Sequence, residues 1–141
     1  MSDPYVDTDV IIRLLTGDDL AKQAASTTLF EAVERGEATV TAPDTVIADA
    51  VYVLASPRLY NVPRSEVAAM LSRLLRLPGF RVKNRRVVLA ALALYGSRNL
   101  DFGDAMIAAA MRQDGSRELY SYDAGFDRLP DITRREPSQL R

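Results

Sequence analysis

Histidine and cysteine are absent from the 141 residues. That excludes thiolate nucleophiles, disulfides, zinc sites built from Cys or His, and every Ser-His relay. Acid and base work in this chain therefore falls to carboxylates or to bound water. Lysine is nearly missing too: all but Lys22 and Lys83 of the 18 basic residues are arginine, the better fork for phosphate, although codon bias alone also accounts for the excess. Set against 19 acids, they leave a formal net charge of -1, so no overall basic field marks a nucleic-acid binder. No run approaches the ~20 apolar residues of a membrane span. The start, Met1 to Tyr5, lacks a basic stretch followed by an apolar one, and a cytoplasmic protein is expected.

What is present, 48% hydrophobic and 26% charged residues, suits one globular domain over 1–141, with no repeat or low-complexity linker. Strands are expected at 5–7, 38–41, 80–82 and 119–122. Helices are expected at 10–15 (capped by Asp9), 20–34, 43–55, 62–75, 87–95 (closing near Gly96) and 102–112 (opened by Asp101). Alternating strands and helices predict βαβ units, hence an α/β fold with a parallel sheet between helical layers and a ligand site at the carboxyl ends of strands. The apolar helices at 67–75 and 87–95 offer more hydrophobic surface than one core face needs.

Asp7 and Asp123 each follow a short strand, so two residues far apart in sequence can meet at one sheet edge. Each also has a plainer reading, Asp7 as a loop-entry residue and Asp123 as part of an Asp-Ala-Gly turn. Asp49 is the only charge between Thr45 and Pro57. At ~100° per residue it falls about 60° outside the apolar stripe of Val46, Ile47, Ala50, Val51 and Leu54, which also suits a solvated helix flank. Asp101 and Asp104, three apart at a helix start, can face one way or act as a capping box. Four carboxylates within about 5 Å would repel by roughly 3 kcal/mol per pair at an effective dielectric near 20, so such a cluster needs a cation. Oxygen ligands without His or Cys select Mg²⁺ or Mn²⁺.

Taken in order, these segments resemble the PIN-domain ribonucleases, most closely the VapC-type toxins of VapBC toxin-antitoxin systems, over nearly the whole chain. Tyr5 Val6 Asp7 Thr8 Asp9 Val10 is similar to the family's strand, Asp, Thr and Asn opening; Ile47 Ala48 Asp49 Ala50 Val51 to the helix bearing its second acid. Leu100 Asp101 Phe102 Gly103 Asp104 Ala105 is similar to the third-acid segment, and Tyr120 Ser121 Tyr122 Asp123 followed by Phe126 to the fourth. The chain departs at Asp9, usually Asn, and at Asp49, usually the longer Glu. The resemblance implies a three-layer α/β/α sandwich with a short, mostly parallel central sheet. It also implies Mg²⁺-dependent cleavage of RNA, with Mn²⁺ as a substitute, by metal-activated water. Asp7 and Asp104 would be the direct ligands, and Asp49 and Asp123 would complete the catalytic and metal site. Thr8, Asp101 and Ser121 would orient carboxylates or substrate, and Arg13 and Arg112 are candidate phosphate contacts. A homodimer and a VapB-like antitoxin are the implied partners.

Two rivals stand beside this reading. One is a non-catalytic PIN-fold binding module whose site Asp9 and Asp49 have degraded. The other is a haloacid-dehalogenase-type phosphatase, with Asp7 as nucleophile and Asp9 as general acid. The phosphatase pattern also needs a further acid soon after Gly103 Asp104, where the chain continues Ala105 Met106 Ile107 Ala108 without one.

Overall fold

A computed structural model describes residues 2–140. After a short extended segment come α1 (Thr8–Leu15), α2 (Leu20–Glu34), β1 (Val40–Ala42), α3 (Asp44–Ala55), α4 (Arg64–Leu75) and β2 (Phe80–Val82). Then follow α5 (Arg85–Ser97), α6 (Phe102–Asp114), β3 (Glu118–Tyr120) and β4 (Thr133–Arg135), with 3₁₀ turns at Ala124–Arg128 and Pro137–Gln139. The architecture is the expected α/β sandwich, with six α-helices among the described residues packed around short parallel strands. Tyr5 bridges Thr41 in parallel, Val40 pairs with Phe80 and Glu118 pairs with Thr133. Hydrogen bonding thus runs in two parallel ladders, β1–β2 and β3–β4. Helical crossovers α1–α2 and α3–α4 separate the parallel neighbours of the first, as parallel pairing requires.

Local chemistry moves several boundaries. α1 begins at Thr8, not residue 10, and its cap is Asp7 rather than Asp9: Asp7 is extended and its carboxylate accepts the Thr8 amide at 2.7 Å. Asp9 then lies in the first turn, where the helix dipole favours its charge. The strand expected at 119–122 stops at Tyr120 because the Ser121 hydroxyl accepts the Asp123 amide at 3.0 Å and turns the chain. β4, read Thr-Arg-Arg, has no apolar alternation to announce it. Gly96 does not end α5, which runs on to Ser97. It is a close-packing residue, since a Cβ there would sit 2.8 Å from the Ala68 Cβ on α4. Gly115, in the left-handed region at φ 71°, does close α6.

The core runs from Val6 through Ile132 as one cluster of buried residues. It takes up the apolar faces of both helices read as having surface to spare: Val67, Leu71, Leu74 and Leu75 of α4, and Val87, Val88, Ala91, Leu92, Leu94 and Tyr95 of α5, are buried. α5 packs between α4 and α6, so these stripes face one another within the chain.

Arg112, in the last turn of α6, grips Asp131 through two bonds of 2.7 and 2.9 Å. Those bonds are the largest influence holding the Asp131 carboxyl below its ordinary range, against the opposing effect of burial. A depressed folded pKa stabilises the fold above the ordinary value of about 3.9 and ceases to do so as pH falls through the folded one. Both side chains are more than a third exposed, so solvent screening limits the effect. Asp131→Asn is expected to cost about 0.5–1 kcal/mol at pH 7 and nothing near pH 2; urea titrations at the two pH values measure it.

Candidate active site

Each of the four acids singled out in the sequence sits where a different element begins or presents a face. Asp7 caps α1 at the end of the N-terminal extended segment. Asp49 lies mid-α3 and is exposed, Asp104 is half-buried in the first turn of α6, and Asp123 is exposed at the head of the 3₁₀ turn after β3. The structure brings them together in two groups.

Asp7 and Asp49 line one open cavity of about 460 Å³ together with Thr8, Asp9, Arg13, Tyr52 and Tyr60. Thr8 links the two walls: its hydroxyl donates to the Val46 carbonyl on α3 at 3.5 Å, while its amide bonds Asp7. In the second group Asp104 faces Asp123. Burial, then hydrogen bonding with and repulsion from Asp123, then repulsion from Asp101, push the Asp104 carboxyl above its ordinary range. Asp123 is fixed by its own turn, accepting the Gly125 amide at 2.8 Å while its amide donates to Ser121.

Asp101 occupies the cap position of α6 but makes no side-chain cap bond, so the capping box with Asp104 does not form. Its carboxylate is 90% exposed and lies 3.9 Å from the Arg64 guanidinium, which draws it away from the helix end. Arg13 lines the Asp7–Asp49 cavity and pairs with Asp18 at 3.0 Å. Arg112 is committed to Asp131.

The sequence reading missed Asp18. It accepts from the Tyr60 hydroxyl at 2.6 Å, the Arg13 guanidinium at 3.0 Å and the Thr16 hydroxyl at 3.1 Å, tying the α1–α2 loop to the α3–α4 loop beside the cavity. The Tyr60 bond is the main reason its carboxyl is held below the ordinary range. Tyr60 lies 42 positions away, and no local signal connects the two.

The donor set bears on a metal ion as follows. Among the described residues no three acidic groups are arranged closely enough to enclose one. Asp104 and Asp123 nevertheless offer hard oxygens crowded against each other, the chemistry that suits a divalent cation such as Mg²⁺ or Mn²⁺. The residues fit such an ion at that pair, with Asp7 and Asp49 forming a separate acidic wall.

The PIN domain family matches residues 5–132, and the chain belongs to it. No curated protein matches the chain. The PIN fold is nuclease-like and its members are generally metal-dependent nucleases, so at that coarse level the chain is assigned to hydrolases acting on nucleic acid. Membership also sets aside the phosphatase reading; Asp9, its supposed general acid, lies inside α1. Among the described residues no helix is long and apolar enough to cross a membrane.

Proposed function

We propose that the chain is a Mg²⁺-dependent endoribonuclease and the toxin component of a type II toxin-antitoxin system, working as a single PIN domain in the cytoplasm. The observation that carries the nuclease reading is the Asp104–Asp123 pair: Asp104, half-buried in the first turn of α6, has its carboxyl pushed above the ordinary range by burial and then by the facing Asp123. When bound, Mg²⁺ supplies positive charge for the carboxylates and Lewis acidity toward water and phosphate oxygens; Mn²⁺ is the expected substitute. Asp104 and Asp123 would hold it, and Asp7 and Asp49 complete the acidic surface the scissile phosphate meets. Ser121 keeps Asp123 aimed through its amide, Thr8 keeps Asp7 against α3, and Asp101 adds negative charge beside Asp104. Arg13, which lines the same cavity and pairs with Asp18, would receive a flanking phosphate.

The toxin assignment rests on the order and local context of the four acidic segments. It brings with it a VapB-like antitoxin, whose basic side chain would neutralise these carboxylates, and a homodimer. Incubating the purified protein with labelled RNA pools, with Mg²⁺ or with EDTA, tests the activity: Mg²⁺-dependent fragments are expected, and none with EDTA. Asp7→Asn is expected to abolish both the fragments and the growth arrest that follows expression. The division of the acids into two groups favours one rival, the non-catalytic PIN-fold module; a folded wild-type protein that binds partners yet never cuts RNA would establish it.

A further inference from the structure

All four phenylalanines are buried, yet Tyr52 leaves 73% of its surface in water. It follows Asp49 by three positions on α3, so the two side chains share a helix face. Tyr52 also lines two cavities at once. One is the Asp7–Asp49 cavity. The other, of about 550 Å³, lies between α3, the start of α4 and the start of α6, and is lined by Ala48, Val51, Tyr95 and Phe102 with Asp101 at its edge.

The second cavity is a firm, mainly apolar slot. The Arg64 guanidinium lies 4.3 Å from the Tyr95 ring centroid and donates to the Leu100 carbonyl at 2.6 Å and the Tyr95 carbonyl at 3.2 Å. Tyr95 in turn meets Phe102 edge to face, with ring centroids 6.2 Å apart. Residues 101–103, immediately before Asp104, line this slot, and Tyr52 lines both it and the Asp7–Asp49 cavity.

A flat, exposed aromatic that lines both an acidic cavity and a mainly apolar one fits an unpaired nucleobase. A base in single-stranded RNA offers its π-face for stacking, whereas one within a duplex is already stacked on its neighbours. We infer that Tyr52 is a substrate-positioning residue: it stacks the base next to the scissile phosphate, and that base enters the α3–α6 slot. The inference rests on the nuclease reading given above and adds the residue that holds the substrate base.

The test is fluorescence anisotropy of a labelled single-stranded oligoribonucleotide titrated with Asp104→Asn protein, which separates binding from cleavage. Adding Tyr52→Ala is expected to weaken binding about tenfold, and Tyr52→Phe to preserve it. Leu20→Ala, which trims an equally exposed apolar side chain on α2, is expected to leave it unchanged. Thermal melts of each variant check folding. Affinity within about twofold of the parent in Tyr52→Ala overturns the inference while leaving the nuclease reading intact. Absence of RNA binding by the parent, with no cleavage by wild type, removes both. Loss of self-association in sedimentation at unchanged RNA affinity assigns the slot to a second copy of the chain and also overturns it.

Discussion

Asp104→Asn is expected to eliminate Mg²⁺-dependent RNA cleavage, a loss on the order of 10³-fold, and at the same time to make the metal-free protein more stable. The two effects share one cause. Asp104 is the acid whose carboxyl is pushed upward, first by burial and then by Asp123 and Asp101. A carboxyl whose pKa is higher folded than unfolded costs stability when it is ionised at neutral pH. Asparagine keeps the shape and removes the charge, so melting in EDTA should move up by a few degrees. Mg²⁺ should then raise the melting temperature of wild type by mass action and leave that of the variant unchanged. A variant that melts lower in EDTA, or still responds to Mg²⁺ as wild type does, contradicts the placement of the ion at Asp104.

Phe80→Ala should cost about 3–5 kcal/mol, the largest loss expected of a substitution away from the acids. Phe80 is fully buried, pairs with Val40 in the β1–β2 ladder and meets Phe30 of α2 edge to face, with centroids 5.4 Å apart and planes at 89°. It joins the sheet to α2, and truncation would open a cavity that three elements cannot close together. Against a total of roughly 5–15 kcal/mol for a domain of this kind, the variant should unfold at markedly lower urea with an unchanged denaturant slope. A loss under about 1 kcal/mol would mean that the core repacks there, against the usual rigidity of protein interiors.

The acids themselves were readable along the chain because each is locally conspicuous: Asp49 interrupts an apolar helix, and Asp7 and Asp123 follow short strands. Their grouping was not. Asp104 meets Asp123 because the chain leaves α6 and forms β3 before the Ser121 turn, whereas Asp7 faces Asp49 because α1 packs on α3. The Asp18 hub and the Arg112–Asp131 grip were illegible for the same reason, each joining residues from elements that sequence spacing does not relate. Asp101 was legible as a cap, and the structure turned its side chain toward Arg64 instead.

Periodicity and end signals by themselves determined the six helices of the described residues, β1, β2 and β3 within a residue or two, and the α/β class, since helix and strand formation depend on neighbours a few residues apart; the strand expected at 5–7 is reduced to a single bridge at Tyr5. Tertiary structure alone decided that α4 and α5 spend their apolar faces on each other's layer, that β4 pairs beside β3, and that the acids stand as two groups with Tyr52 lining both cavities. Burial and charge repulsion act through space, and only the packed crossovers set which distant residues share that space.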